Sequence, residues 1–306
     1  DSDREWLHHL VADWQVIADL SFADLLLVLQ KGDGSFVIAE QCRPSTVMSL
    51  RVDDLVGCTM DPEFTEELTE AMHSEGVYRS SILRNIGGST VCNVYAPIRH
   101  DGKTLGLVVR ETNMATRESN GRYESESISA GKRLFTMIPR GQFPYKDAVL
   151  NQRHNARVAD GFIILTVDGD VQYASPNGIS CFRRLGMLDT MEGGNLGEIG
   201  TGLIHENDPV SESLPIVLLG KAAMDTEMDT NRSAVSMRSL PLMDAQGRTG
   251  AIVLCRDVTE LRRREVELQT KDATISEIHH RVKNNLQAVS ALLRLQARKT
   301  KSDEVK

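Results

Sequence analysis

The sequence predicts an α+β protein with two antiparallel-sheet domains in tandem, followed by a long C-terminal helix. Three observations lead to this prediction. Short apolar runs separated by turns containing Gly and Asp recur in two blocks of the chain, as expected for β-hairpins. A connection containing Pro and Gly separates the two blocks. The end of the chain carries an apolar residue at every seventh position, which is typical of a long helix.

The N-terminal segment, residues 1–20, is predicted to be an amphipathic helix. Trp6, Leu10, Trp14 and Ile17 follow one another at spacings of four, four and three residues, which places both tryptophans on one stripe. Such a stripe has to pack against another surface. The sequence leaves two alternatives for that surface, the next domain or a second copy of the helix.

The first predicted domain covers residues 21–140. Its strands are predicted at residues 25–29, 36–40, 89–98 and 105–111, with the turns KGDG (31–34) and HDGK (100–103) inside two hairpins. Its helices are predicted at residues 62–74 and 119–138, with a polar stretch at 112–117 before the second helix. Antiparallel strands with helices between them are the α+β pattern.

A linker and a second domain follow. Pro139, Gly141 and Pro144 interrupt the pattern and predict a linker over residues 141–156. The second domain, residues 157–257, is predicted to begin with a hairpin around the turn DGD at 168–170 and to end with three strands. Those three strands are predicted at residues 222–229, 234–241 and 250–256.

Residues 258–306 are predicted to form one signalling and dimerisation helix. The seven-residue repeat consists of Leu261, Leu268, Ile275, Val282 and Val289. Asp257 and Glu260 fit a capping box at its start, with Thr259 as a rival cap. The first part is interpreted as a two-stranded connector and the rest as a helix of a larger bundle. The alternative is a single amphipathic helix packed on its own domain.

Composition sets limits on the class of protein. The chain has 306 residues and a net charge of -8, and residues 261–306 carry eleven Lys and Arg against six Asp and Glu. That segment is therefore +5 and the remainder is -13. The basic segment suits a phosphate or an acidic partner, or it is simply a solvated helix.

No apolar run reaches the length of a membrane-spanning helix. The five cysteines are scattered without a metal-binding spacing, which predicts a cytoplasmic protein without a metal site. Because the chain begins without Met and ends inside a helical pattern, we expect it to be a fragment.

The stretch with the most specific pattern is residues 277–287, EIHHRVKNNLQ. It resembles the phosphoacceptor box of the HisKA_2 histidine kinases, and residues 271–300 resemble the first dimerisation helix of that family. DVT at 257–259 is similar to the motif that joins a PAS domain to a signalling helix. ASPN at 174–177 and HEND at 205–208 resemble PAS motifs, and residues 20–140 are similar to a GAF domain.

The resemblance implies the sensor region of a two-component histidine kinase. Such a protein is a homodimer that autophosphorylates from ATP and passes the phosphoryl group to a response regulator. Residues 18–24 and 42–44 extend the resemblance to a cytosolic actinobacterial kinase, which implies a regulator of the ANTAR type.

No glycine-rich nucleotide loop is present in the sequence. ATP is therefore expected to bind in a C-terminal domain missing from the chain, and the fragment alone is expected to be inactive. Neither a membrane nor direct nucleic-acid binding is expected. The alternative function is a non-enzymatic GAF–PAS scaffold dimer that signals through its C-terminal helix.

Two adjacent histidines compete for the role of phosphoacceptor. With Ile275 at heptad position a and Ile278 at d, His279 falls at e beside the seam and His280 falls at f, facing solvent. A nucleophile that must meet a mobile ATP-binding domain and then a partner needs the exposed position. His280 is therefore the predicted acceptor, and the family resemblance agrees.

The residues that support His280 are less clearly indicated. Glu277 and Asn284 lie three residues before and four residues after it, on the same helix face, so either one is a candidate to orient the ring or accept its proton. In the HisKA box an acid follows the histidine directly, whereas Arg281 stands at that place here. The general base therefore stays open.

The ligand of the sensor domains is also left open. His205 is a candidate haem ligand, although a loop histidine is more often polar surface. Cys42 and Cys58 are candidates for redox or metal chemistry, and the preferred interpretation is that both are small buried hydrophobic residues. The glycines of residues 193–202 are interpreted as turn residues rather than a phosphate cradle.

Overall fold

The computed structural model of the protein describes residues 2–117, 121–146, 155–204, 211–230 and 232–303. The chain forms two compact units, Asp1–Asp257 and Val258–Lys306. The first unit contains two five-stranded antiparallel sheets, and the second is a long helix. The predicted fold class is confirmed.

The N-terminal segment forms two helices rather than one, α1 (Ser2–Asp13) and α2 (Gln15–Ser21). The four residues of the predicted stripe, including Trp6 and Trp14, are each at most 5% exposed. They belong to one hydrophobic core that also contains Phe162 and Leu254 from the second sheet. The stripe therefore packs within its own chain, against the next domain as well as the first sheet.

The first sheet has the strand order β2-β1-β5-β4-β3. Its strands are β1 (Ala23–Gln30), β2 (Phe36–Cys42), β3 (Tyr78–Ile86), β4 (Ser89–His100) and β5 (Lys103–Asn113). Both predicted hairpins are present, with β1 paired to β2 and β4 paired to β5. β3 was not predicted, because it is an edge strand in which Ser80 is the buried residue and the apolar Ile82 and Leu83 are exposed.

Helices cover both faces of the first sheet. A 3-10 turn at Pro62–Phe64 leads into α3 (Thr65–His73), and α5 (Arg122–Met137) follows a short α4 (Met114–Arg117) in the polar stretch. α5 crosses α2 closely at Gly131, where an added Cβ would lie 2.6 Å from the Ser21 hydroxyl. Glycine is thus required for this helix–helix contact.

The second sheet has the order β7-β6-β10-β9-β8, which is the same topology as the first sheet. Its strands are β6 (Phe162–Leu165), β7 (Val171–Ala174), β8 (Met224–Asp229), β9 (Ala234–Met243) and β10 (Arg248–Asp257). Between β7 and β8 lie α6 (Pro176–Leu185), α7 (Leu196–Gly202) and α8 (Leu214–Leu218). Both the predicted hairpin and the three predicted C-terminal strands are found here.

Polar contacts join the second sheet to the N-terminal helices and to the connector that follows the first sheet. Asp13 at the end of α1 forms an ion pair of 2.6 Å with Arg238 on β9, and both side chains are at least 90% buried. In the connector between the sheets, the Tyr145 hydroxyl donates to the Pro241 carbonyl at 2.7 Å. Since one hydrophobic core also extends across this boundary, the sheets form one compact unit.

Candidate functional site

The second unit is the helix α9 (Thr259–Asp303), and it carries the predicted phosphoacceptor box. At 1.5 Å per residue its 45 residues extend for about 68 Å. Ion pairs between successive turns support it, such as Lys271–Glu267 at 2.7 Å and Arg263–Glu260 at 3.8 Å. No helix among the described residues combines the length and apolar character needed to cross a membrane.

An apolar seam runs along α9 and is exposed in the single chain. The five heptad residues from Leu261 to Val289 are between 39% and 60% exposed. Ile278, Leu286, Leu292 and Leu293 widen the seam and are between 54% and 63% exposed. Water-exposed apolar side chains at this spacing are the pattern that a partner helix covers.

His280 lies opposite the seam. At 100° per residue, Val282 and Val289 are about 160° and 180° away from His280 around the helix axis, but only about 60° and 80° away from His279. Both histidines are exposed in the single chain, so burial alone does not separate them. Their positions around the helix do, because a helix packed on the seam leaves His280 more accessible than His279.

Polar residues flank His280 on both sides. Glu277 and Asn284 lie about 60° and 40° to one side of it, and Lys283 lies about 60° to the other side. All three are exposed. The imidazole of His280 has a carboxylate and an amide on one flank and a cation on the other. This arrangement suits a nucleophile that attacks a phosphoryl group, since the cation attracts the phosphate oxygens.

The cysteines singled out from the sequence differ in their surroundings. Cys42 is buried, and its thiol donates a hydrogen bond to Gln15 Oε1 at 3.3 Å. Burial, together with the charges of Asp19 and Asp24, raises the pKa of the Cys42 thiol to about 12, so it is a poor nucleophile. Cys58 is exposed, so its interpretation as a small buried hydrophobic residue is wrong. Its place after the turn at Gly57 leaves the side chain outside the core.

Three buried carboxylates, two of them near Cys42, were missed by the sequence analysis. Asp19, Asp24 and Glu111 are each 1% exposed, and each holds part of the segment 45–51, which we call the strap. Asp19 accepts from the Ser45 amide at 2.6 Å, and Asp24 accepts from the Leu50 amide at 2.8 Å and from the Ser49 hydroxyl. Arg51 donates from Nε and Nη2 to the two oxygens of Glu111, at 2.8 Å each. The strap is therefore held by charge-assisted hydrogen bonds over the first sheet.

The remaining candidates have structural roles or lie outside the described residues. Asn195 caps α7 by accepting from the Gly197 amide at 3.1 Å, so Gly197, Gly200 and Gly202 lie in a helix and their interpretation as turn residues is wrong. Gly193, with a φ of 82°, does lie in a turn. His205 and the motif at 205–208 lie outside the described residues. The described residues contain no group of three or more His, Cys, Asp or Glu side chains arranged to hold a metal ion.

Comparisons with known proteins find relatives along the chain. The family model described as "Histidine kinase PdtaS, GAF domain" matches residues 1–130. The HisKA_2 model, described as "Histidine kinase", matches residues 277–306, which include the helix face just described.

Curated relatives and a solved structure extend these matches. The chain is 39% identical over 98% of its length to the sensor histidine kinase PdtaS of Mycolicibacterium smegmatis. It is 40% identical over 97% of its length to the protein of the same name from Mycobacterium tuberculosis. The chain spans 61% of the length of each of these relatives. A solved structure described as the sensor region of a sensor histidine kinase is 30% identical, with a TM-score of 0.70, and the match covers 85% of this chain and 94% of that chain.

Proposed function

Since this chain belongs to the sensor histidine kinases and corresponds to their sensor region, we propose that its whole protein autophosphorylates on His280 and passes the phosphoryl group to a response regulator. The observation that carries the proposal is the position of His280. It lies opposite an exposed apolar seam, within the part of α9 that matches the histidine kinase model. A dimer formed through that seam would present two His280 side chains to solvent.

The chemistry follows from the residues around His280. A neutral imidazole nitrogen attacks the γ-phosphorus of ATP in line, the bond to the β-phosphate oxygen breaks, and ADP leaves. Lys283 attracts the phosphoryl oxygens, while Glu277 orients the ring or accepts its proton and Asn284 orients the ring. Because the chain spans 61% of its curated relatives, we assign ATP binding to a part of the whole protein that this sequence does not contain.

The sensor region would control this step through α9. In the proposed organisation, residues 1–20 form the N-terminal helices, 21–140 a GAF-like domain, 141–156 a linker, 157–257 a PAS-like domain and 258–306 the signalling helix. A signal that changes how the sheets pack would shift α9 between two arrangements. We further propose a cytoplasmic location and an ANTAR-type regulator as partner, which is consistent with the free thiols of this chain and with its PdtaS relatives.

The test is autophosphorylation of the full-length protein with radiolabelled ATP. Wild type and His279→Gln are expected to carry acid-labile label, and His280→Gln is expected to lose it at least 100-fold. Glu277→Gln or Asn284→Ala is expected to slow labelling by about 10-fold or more, as for removal of an assisting group. Asp272→Asn, an exposed carboxylate two turns before His280, is the matched control and should label normally.

Two results would contradict the proposal. Loss of label in His279→Gln alone would show that the seam is turned differently from the heptad assignment. Absence of label in every variant, together with absence of ATP binding, would favour the alternative of a scaffold that signals without phosphorylation.

A further inference from the structure

A cleft of about 360 Å³ lies where three segments of the first unit meet. Trp6 of α1 forms one wall, Arg99 and Asp101 of the β4–β5 hairpin form another, and Arg140 and Lys146 come from the connector toward the second sheet. The cleft is distant in sequence from α9, and nothing in the proposed function depends on it. Because the lining residues come from the first sheet and from the connector toward the second, a ligand bound in the cleft could affect the packing of both sheets.

The residues that line the cleft are net positive, whereas the chain outside residues 261–306 is net negative. Arg99, Arg140 and Lys146 line it, and none of the three has an ion-pair partner among the described residues. Asp101 is the carboxylate among the lining residues, so the fixed charges there sum to about +2, three cations against one anion. The chain outside residues 261–306 carries -13. Cations that line one cleft repel one another, and a bound anion would relieve that repulsion.

The walls of the cleft are already in place. His100 stacks on Trp6 with ring centroids 4.9 Å apart, and Asp3 holds the His100 ring through Nδ1 at 2.9 Å. Lys146 Nζ lies 5.4 Å from the centroid of the Trp6 ring, in a cation–π contact. Arg99 is anchored by donating from Nη2 to the Ser74 carbonyl at 2.7 Å. Lys146 and Arg99 are thus positioned before any ligand arrives, which lowers the entropic cost of binding.

Two buried donors belong to side chains that line the cleft, and the Arg99 donor is part of the guanidinium already counted among the cations. Trp6 Nε1 and Arg99 Nε are shielded from solvent, and neither has an acceptor among the described residues. An N–H group without an acceptor leaves its partial positive charge uncompensated. A nearby anion would offset this charge together with those of the side-chain cations.

We propose that this cleft binds the phosphate group of a small phosphomonoester. A phosphomonoester carries close to two negative charges at neutral pH, which matches the charge of the lining better than a single carboxylate does. A guanidinium group such as that of Arg140 matches phosphate geometry with two parallel N–H donors. A volume of about 360 Å³ exceeds what a phosphate ion fills and lies in the range of small-molecule sites.

A bound phosphomonoester would join α1, the first sheet and the connector. The connector residue Lys146 immediately follows Tyr145, which is bonded to the second sheet. Ligand binding at the cleft would therefore fix the path of the connector relative to both sheets. Binding to the folded state alone also raises the melting temperature as the ligand concentration increases.

The test uses the 306-residue chain and its tryptophan fluorescence. The chain has two tryptophans, of which Trp6 lines the cleft and Trp14 does not. The probes are inorganic phosphate, glycerol 3-phosphate and glycerol, titrated at constant ionic strength. We expect a saturable change in Trp6 emission with both phosphate probes, tighter for glycerol 3-phosphate, and no change with glycerol. The double variant Arg140→Gln/Lys146→Gln is expected to weaken binding at least 10-fold.

Lys132→Gln is the matched control, because it removes an exposed lysine on α5 that does not line the cleft. Circular dichroism of each variant before titration establishes that it is folded, and Arg99→Gln provides a second variant if the double variant is not. Equal binding of glycerol and glycerol 3-phosphate would overturn the proposal. So would unchanged affinity in the cleft variants, or no saturable response to either phosphate probe in wild type.

Discussion

The two sheets share one strand order but are stabilised by different kinds of buried side chains. The first sheet and α2 together place three carboxylates, Asp19, Asp24 and Glu111, under the strap. The buried residues of the second sheet and its helices include no carboxylate among those described, and their core is instead rich in sulfur. Its sulfur-containing side chains are Met187, Met191, Met228, Met237, Cys181 and Cys255.

The difference shows that topology does not dictate how an interior is built. Buried carboxylates are tolerated only where hydrogen bonds compensate their desolvation, so they fix the strap in one position. Methionine side chains are flexible and polarizable, so they fill irregular space without fixing one arrangement. One sheet is thus specified by polar contacts, and the other is packed with adaptable side chains.

The thiols of the two sheets also differ in the groups that set their pKa values. In the first, burial and then the charges of Asp19 and Asp24 raise the pKa of Cys42. In the second, a hydrogen bond from Cys255 lowers the pKa of Cys181, and the same bond raises that of Cys255. Burial is thus the main cause for Cys42, whereas the hydrogen bond between the two thiols is the main cause for Cys181 and Cys255.

The largest expected effect comes from breaking the polar contacts of the first sheet. Arg51→Met leaves Glu111 charged and buried without its partner, and we expect the free energy of unfolding to fall by about 3 kcal/mol, because a broken buried pair costs about 3–5 kcal/mol and Arg51 is partly exposed. Urea denaturation followed by circular dichroism measures this loss.

Two further variants sharpen that measurement. Arg79→Met removes an exposed arginine on β3 and should change stability by less than about 0.5 kcal/mol. The double variant Arg51→Met/Glu111→Gln should be more stable than Arg51→Met, because the buried charge is gone. If Arg51→Met were as stable as the Arg79→Met control, the strap would not be held by this pair.

The second prediction concerns pH. The pKa of Cys42 is about 12 in the folded state and near 9 in the unfolded state, so above pH 9 the unfolded state releases a proton that the folded state keeps. Stability should therefore fall as pH rises from about 9 to 12, by about 1.4 kcal/mol per pH unit from this group. The comparison of wild type with Cys42→Ala at pH 8 and at pH 10.5 isolates the effect.

The destabilisation caused by Cys42→Ala should shrink between these two pH values, since the variant has no thiol to titrate. Cys58→Ala, which removes an exposed thiol, should show no such change. A difference between wild type and Cys42→Ala that is constant with pH would mean that the Cys42 thiol is not held in its neutral form.

The smallest effect is expected in the sulfur-rich core. Met237→Leu replaces a fully buried methionine by a residue of similar volume and should cost less than about 1 kcal/mol. The reciprocal change in the first sheet, Leu107→Met, should cost more, about 1–1.5 kcal/mol, if the core there is packed more uniquely. A larger loss for Met237→Leu than for Leu107→Met, measured by urea denaturation, would reverse the comparison between the two cores.

Much of the architecture was predictable from local patterns. Both hairpins of the first sheet have a turn containing Gly and Asp between apolar runs, and the heptads of α9 have the spacing of a seam. β3 was not predictable, because an edge strand with exposed Ile82 and Leu83 lacks the alternation that marks a half-buried strand. The break between α1 and α2 was missed because Trp14 continues the apolar period across it.

For the functional residues, too, some features follow from local sequence spacing and others do not. The helix carrying His280, and the place of His280 opposite the seam, follow from a periodicity that is local in sequence. The strap and the cationic cleft could not be predicted, since Arg51 and Glu111 are 60 residues apart, and Trp6 and Lys146 come from separate segments. Spacing along the chain determines which residues share a helix face or a strand face. Which distant charges are brought together, and which of them stay unpaired, is decided only when the segments pack.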